Sequence, residues 1–302
     1  MREPAHFADR LAARVEAISS VLCVGIDPRP PFPAECHRGL RDDRSGLARA
    51  MERYAVGLVE AAAPAAAAVK PQVAFFEALG GYGLTALERV CAAAVEHGVP
   101  VIADAKRGDI PSTAEAYASA WLDERPGGEP PVADALTVNP YLGRDSLEPY
   151  AAACDRAGAG IYVLVRTSNP GSADLQALEA SDGAVWEASA RLVDALGAPR
   201  VGTSGLSSIG AVIGLTQPAA LRRARELMPT APLLIPGLGA QGGDVNDAAP
   251  AFAPHPAAGL VVAARSVIEA WREAPGDWRG AVAAAAQEHR TTTWNVARHA
   301  FA

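Results

Sequence analysis

Residues 100–113 read PVIADAKRGDIPST, and the parsing of this stretch decides the fold. Val101, Ile102 and Ala103 form a short apolar run of the kind carried by a strand buried on both faces. Asp104, Lys106, Arg107 and Asp109 follow without a break, and a helical pattern begins at about residue 111. Strand, charged turn and helix start together make one βα unit. An unpaired charge taken out of water costs several kcal/mol. Charges placed at the end of a buried strand are therefore solvated, paired or engaged in chemistry.

The same unit recurs along the chain. Apolar runs occupy 21–28 (VLCVGIDP), 67–77 (AAVKPQVAFFE), 100–109, 135–140 (ALTVNP), 161–170 (IYVLVRTSNP), 209–216 (IGAVIGLT), 232–239 (PLLIPGLG) and 259–268 (GLVVAARSVI). Helical patterns lie near 44–63, 79–97, 111–124, 145–157, 184–197, 218–228, 242–250 and 278–299. Apolar strands alternating with helices predict a parallel α/β sheet covered by helices. Eight such units in about 280 residues fit a closed (β/α)₈ (TIM) barrel. An open doubly wound sheet is the alternative, because a strand count does not prove closure. The sixth strand has a competitor in VGTSGLSSIG just upstream. The proline-rich segment 28–39 reads as a long loop, and 125–134 as the connection into the fourth strand. The expectation is one domain over residues 1–302, with an N-terminal helix in 1–20, barrel strands in 21–270 and a C-terminal helix in 271–302.

Half of the 302 residues are apolar, a fifth are charged, and the net charge is −7. With a pI near 5.4 and no long run of Lys or Arg, a general nucleic-acid or anionic-membrane surface is not expected. No apolar stretch approaches the roughly 18 residues of a membrane span, and the first residues form an amphipathic helix pattern without a signal core. A cytoplasmic location is expected. Cys23, Cys36, Cys91 and Cys154 lie far apart with no CxxC spacing and read as small core hydrophobes. The six histidines are scattered over helices and loops. No dinucleotide fingerprint, Walker loop or metal cluster is evident, so neither cofactor nor metal is expected.

Unusual polar residues gather at one place in the unit, the C-terminal end of the strand: Asp27, Lys70, Asp104 with Lys106, Asn139, Ser168 and Arg265. Catalytic groups of (β/α)₈ barrels sit at that end, while the opposite end serves stability. Asp104 and Lys106 are two residues apart on a strand and so share a face. Lys70 ends the preceding strand pattern, and Asp109 falls in the turn before the next helix. Two amines and up to two carboxylates packed together would offset one another's desolvation. The array reads either as a structural ion-pair network on a barrel rim or as a site for decarboxylation. In the second reading, a carboxylate beside a departing CO₂ disfavours the substrate's charge. An ammonium at the same carbon stabilises the developing carbanion and supplies the proton.

DAKRGDIPST resembles the DxKxxD signature of orotidine 5′-phosphate decarboxylases, with Asp104, Lys106 and Asp109 in its three positions. VKPQVAFFE (69–77), TVNPYLG (137–143) and RTSNPG (166–171) are similar to segments of that family's longer bacterial type and occur in its order. The resemblance spans roughly residues 20–270. It implies that Lys106 protonates pyrimidine C6 after CO₂ leaves, with Asp104 against the substrate carboxylate. Lys70 would complete the alternating network on the ribose side. Asp109 would cross into a neighbouring subunit's site to reach a ribose hydroxyl and Thr113 would join it, which implies a homodimer. Asp27 would hold ribose, although an Asp before Pro is also a turn former. Ser168 would bond the pyrimidine amide edge or cap a turn, and Asn139 would line the same pocket or form a turn. For phosphate, Gly237 and Gly239 in PGLGAQGGD (236–244) allow close backbone approach. Gln241 would bridge phosphate and base, and Arg265 offers a bidentate fork. Ala264 precedes that arginine where the family often has glycine, a departure. The nearest rival is a Mg²⁺-dependent sugar-phosphate enzyme of the same superfamily, which needs a carboxylate at the second strand. Lys70 stands there, with Glu77 further along. A noncatalytic phosphate-ligand sensor is a rival of another class.

Overall fold

Each apolar run contributes one parallel strand: β1 (Leu22–Ile26), β2 (Ala68–Pro71), β3 (Ile102–Arg107), β4 (Ala135–Val138), β5 (Gly160–Arg166), β6 (Ile209–Ile213), β7 (Leu233–Pro236) and β8 (Gly259–Ala263). The computed structural model describes residues 5–216, 218–238, 243–273 and 276–301. Every residue of β1, β2, β4, β6 and β8 is buried, the signature of strands covered by helices outside and filled by side chains inside. Hydrogen-bonded neighbours run β2-β1-β8-β7-β6-β5-β4-β3. The two ends of that order meet through bridges at Val69–Val101 and Gln72–Asp104, and Val69 N–H donates to the Pro100 carbonyl at 2.9 Å. The sheet thus comes round into a barrel rather than remaining open, and β2–β3 is its thinnest seam.

Helices Arg44–Ala62, Gly81–Glu96, Pro111–Leu122, Arg144–Ala157, Val185–Gly197, Pro218–Leu227 and Trp278–Phe301 wrap the strands. Their ends follow local chemistry. Asp43 caps the first by accepting from Gly46 N–H at 2.8 Å, and Pro111 opens the third, where a missing N–H costs nothing.

The N-terminal helix Phe7–Ile18 seals the end of the barrel where strands begin. Phe7 meets Tyr162 edge-on at 6.2 Å and lies so close to Gly160 that a Cβ there would fall 2.4 Å from its ring. Arg10 pairs with Asp134 at 2.6 Å. Asp9 accepts from Thr203 and Ser204; against the burial that would raise it, those bonds pull its carboxyl down to about 2. With that end plugged, a ligand reaches the barrel from the strands' C-terminal ends.

Three expectations change. The run 67–77 is not one strand: β2 stops at Pro71, and Val73–Glu77 turns into a short helix with Val73 and Phe76 buried three apart. An apolar run buried on all sides reads alike in either conformation. The helix expected near 242–250 is a 3-10 helix, Val245–Phe252, with Pro250 inside it. A small hairpin, Glu179–Ala180 with Gly183–Ala184, follows β5 unannounced by the sequence. VGTSGLSSIG forms a turn held by a Val201–Ser207 bridge, leaving Ile209–Ile213 as the sixth strand. All four cysteines are buried and free. Among the described residues no helix is long and apolar enough to cross a membrane.

Candidate active site

The row of charges at the end of β3 divides between two sides of the barrel wall. Along β3 the register against β4 passes from Ala103–Leu136 to Arg107–Val138, so four residues on β3 are matched by two on β4. Within this bulge Lys106 takes φ +51°, a left-handed conformation that costs a residue with a side chain about 1–3 kcal/mol. Bulges of this kind re-aim side chains next to functional sites. Lys106 Nζ donates to Asp104 Oδ1 at 2.6 Å, and Lys70 Nζ, from the end of β2, donates to Asp104 Oδ2 at 2.5 Å. Gln72 Nε2 donates to Oδ2 and the Thr137 hydroxyl to Oδ1, each at 3.0 Å. One carboxylate therefore accepts four hydrogen bonds, two of them from ammonium groups.

Arg107, the next residue, faces away from this cluster. It pairs with Glu77, donates to the Ala105 carbonyl at 3.2 Å and lies over the rings of Tyr117 and Trp121 at 5.4 and 5.9 Å. Lys106 turns to the mouth, and Arg107 anchors the same turn from outside.

The electrostatics favour full ionisation. Burial alone would raise the Asp104 carboxyl, but Lys70 and Lys106 hold it far below the usual carboxylate range. Burial would likewise strip Lys70 of its proton, yet Asp104, and after it Asp27, keep the amine protonated well above the ordinary lysine range. Both effects follow from opposite charges a few ångströms apart in a poorly solvated place. Asp27, Lys70, Asp104 and Lys106 thus alternate in sign. Lys70 and Asp104 side chains are 9% exposed, while Lys106 is 46% exposed and faces the opening.

A cavity of about 270 Å³ opens beside this cluster. It is lined by Lys70, Asp104, Lys106, Thr137 and Ser168, with Leu164, Val212, Leu234 and Pro236 forming an apolar floor. Such a lining, apolar with a few convergent polar groups, is what a small-molecule site presents. Asp27 stands outside the lining, but its Oδ1 is buried without a hydrogen-bond partner, an oxygen suited to accept from a ligand hydroxyl.

Other expected residues lie elsewhere. Asn139 takes the turn role: its Oδ1 accepts from Tyr141 N–H at 3.0 Å and its own N–H donates to the Arg107 carbonyl at 2.7 Å. A bond from the backbone N–H two residues on to an Asn Oδ1 is Asx-turn chemistry. Asp109 is not the cluster's second carboxylate. Its Oδ1 accepts from Ile110 N–H at 2.7 Å, and Asp27 is the acid that acts on Lys70 instead. Thr113 sits half-buried in the first turn of Pro111–Leu122. Gly237 adopts φ +121°, a conformation that glycine tolerates, and its carbonyl accepts from Gly243 N–H at 3.2 Å. The chain so leaves β7 and returns beside it. Gly239 and Gln241 lie outside the described residues. Arg265 is exposed at the start of the short helix Arg265–Ile268 after β8.

Sequence reasoning passed over Gln72 and Thr137. The signal was present: Gln72, just past the end of β2, follows Lys70 by two residues, and Thr137 on β4 precedes Asn139, just past its end, by two. The hydroxyls of Thr216 and Ser266, after β6 and β8, are buried without partners, and nothing in the sequence marks them.

With the geometry in hand, comparison with known proteins is informative. Residues 20–274 match the family model described as Orotidine 5'-phosphate decarboxylase / HUMPS family. The chain is 41% identical to an orotidine 5'-phosphate decarboxylase of Rhodopirellula baltica, over 92% of this chain and 96% of that one. It is 45% identical to one of Deinococcus radiodurans, over 86% and 88%. Among solved structures it is similar to OMP decarboxylase of Leishmania donovani, with 32% identity, a TM-score of 0.73 and coverage of 98% and 99%.

Proposed function

The chain belongs to the orotidine 5'-phosphate decarboxylase / HUMPS family, and from that premise we propose that it converts orotidine 5'-phosphate to uridine 5'-phosphate and CO₂ without a cofactor, the closing step of a route that builds UMP. The observation that carries this reading is Asp104 bound by Lys70 and Lys106 at 2.5 and 2.6 Å on the wall of the cavity.

The chemistry follows from that cluster. The pyrimidine seats on the apolar floor with its carboxylate toward Asp104. The bond from C6 to the carboxyl carbon breaks, CO₂ departs, and the electron pair stays on C6. The Lys106 ammonium stabilises that pair and transfers a proton to C6, and solvent returns a proton to the amine. The charges are fixed before the substrate arrives, so no reorganisation is needed as the carbanion forms. Ser168 bonds the pyrimidine amide edge, and Asp27, with its free oxygen, takes a ribose hydroxyl. Gly237, Arg265 and the neighbouring residues Gly239 and Gln241 hold the phosphate. Binding energy from that remote group orients the reacting carbon.

The family name covers a second chemistry, and the residues present argue against it. A Mg²⁺-stabilised enediolate needs carboxylates converging on a cation. Here the β2 position holds Lys70, the nearest acid after it, Glu77, ends the short helix that follows β2 and is paired with Arg107, and no cluster of three or more metal-ligating side chains occurs among the described residues. The deciding assay follows the absorbance of orotidine 5'-phosphate in chelator-treated buffer. Turnover there should be undiminished by EDTA, and bare orotidine should react far more slowly. Activity that appears only on adding Mg²⁺ overturns the proposal.

The active unit in this reading is a homodimer. Tyr82, Ile110, Tyr141 and Leu142 are all exposed on the segments that follow the neighbouring strands β2, β3 and β4, and Ile110 lies between Asp109 and Thr113 in the chain. Apolar groups gathered next to a site suit a partner surface. Asp109 and Thr113 then complete the site of the second copy. Inactive Lys106→Ala and Asp109→Ala homodimers, mixed and allowed to exchange, should regain up to about a quarter of wild-type activity, since half the dimers are hybrids with one intact site of two. No regain, with sedimentation showing exchange, refutes the shared site.

A further inference from the structure

We infer that Thr137 is a positioning residue for the proton donor, acting through Lys106 and Asp104 rather than on the ligand; the inference rests on the decarboxylase reading above. β4 is otherwise apolar, Ala135, Leu136 and Val138, and wholly buried. A valine would satisfy that strand, and a buried hydroxyl is a liability unless its hydrogen bonds are made. Those of Thr137 are made. Its Oγ1 accepts from the Lys106 backbone N–H at 2.9 Å and donates its one proton to Asp104 Oδ1 at 3.0 Å. Although Thr137 lines the cavity, its proton is thereby committed to Asp104 and is not offered to a ligand.

The two bonds join what the reaction needs joined. The first fixes the peptide nitrogen of Lys106, the residue held at φ +51° within the β3 bulge. The second fixes the oxygen of Asp104 that also receives the Lys106 ammonium. Backbone and side chain of the same lysine are therefore tied to one hydroxyl, directly and through the carboxylate. One residue further on, the Arg107 carbonyl is held by Asn139 N–H at 2.7 Å, so the bulge is fixed both to β4 and to the residue that follows it. Without the hydroxyl, the Lys106 N–H loses its acceptor and the strained turn can relax toward an ordinary strand conformation. That relaxation swings the ammonium off the line to the reacting carbon.

The test compares Thr137→Val, Thr137→Ser and Thr137→Ala by kcat, KM and affinity for UMP, alongside the wild type. Valine keeps the shape and loses the hydroxyl, serine keeps the hydroxyl, and alanine loses both hydroxyl and methyl. Misplacing a reacting group by about an ångström costs on the order of 100-fold. Valine should therefore lower kcat by roughly 10- to 100-fold while KM and UMP affinity stay within about 3-fold. Serine should restore kcat to within about 3-fold of wild type. If valine does not fold, serine against alanine isolates the hydroxyl, since both lack the methyl, and alanine should show the same kcat deficit. A hydroxyl-free variant with wild-type kcat overturns the inference. So does equal impairment of serine and alanine, which would assign the effect to packing of the methyl. Parallel loss of kcat and UMP affinity also overturns it, in favour of direct ligand contact. An inert wild type sinks the functional reading and this inference with it, whereas an active wild type with an unimpaired valine variant sinks this inference alone.

Discussion

Lys106→Ala should turn over orotidine 5'-phosphate at no more than a trace of the wild-type rate while still folding and still binding UMP. The kinetic loss has two parts. A positioned general acid is worth about 10²- to 10⁴-fold, and the ammonium's stabilisation of the developing carbanion is lost in addition. The structural cost should be small, because the Lys106 side chain is 46% exposed and removing it leaves Asp104 paired with Lys70 at 2.5 Å. Relief of the left-handed backbone is not gained, since alanine also carries a Cβ. Single-turnover kinetics with enzyme in excess separate chemistry from binding, and a thermal melt checks the fold. UMP affinity within a few-fold of wild type, with chemistry slowed by at least a hundredfold, is the expected pattern. Near-normal turnover would remove Lys106 from the mechanism.

How much of this could be read from the sequence depends on which physical constraint wrote each part. The parallel sheet of eight βα units was legible because strands buried on both faces leave continuous apolar runs, and because the unusual polar residues share the strand ends. Lys70, Asp104 and Lys106 were legible for the same reason: a buried charge has to be answered by another, so a row of alternating charges after an apolar run announces contact. Closure of the barrel was not legible, since it rests on backbone bridges at Val69–Val101 and Gln72–Asp104 that any side chains could carry. Nor was the sorting of neighbours in the charged row. A strict two-residue alternation groups Lys106 with Asp104, but Arg107 reaches Glu77 on the helix after β2 and the faces of Tyr117 and Trp121 on the helix after β3. Asp109 shows the limit from the other direction. Five residues after Asp104 it lies near enough in sequence to join the cluster, yet its Oδ1 accepts from Ile110 N–H in the turn, and Asp27, just past the end of β1, supplies the second negative charge acting on Lys70.

Asp104→Asn should damage stability and catalysis together, and the variant's stability should depend on pH in a direction opposite to that of the wild type. Asparagine fills the same space but cannot neutralise an ammonium, so Lys70 is left buried with Asp27 as its remaining acidic neighbour. Removing one partner of a buried pair costs about 3–5 kcal/mol, and the lower figure applies where Asp27 compensates in part. For a chain of this length, about 3 kcal/mol corresponds to a fall in Tm of roughly 5 °C. In the wild type, the Lys70 amine is raised above its unfolded value of about 10.4. Its contribution is therefore complete below that pH and fades as pH climbs through the folded value. In the variant, burial without Asp104 depresses the amine below 10.4. The folded state then binds fewer protons than the unfolded one, and stability rises with pH between the depressed value and 10.4. Denaturant titrations of both proteins from pH 7 to 10 should accordingly show the gap between them closing as pH rises. Catalysis should fail in the same variant, because Lys106 loses the carboxylate that orients it and the substrate's carboxylate no longer meets a like charge. A variant that matches wild-type stability at every pH would mean that the three charges are solvated separately. The compact electrostatic site on which the decarboxylation reading depends would then not exist.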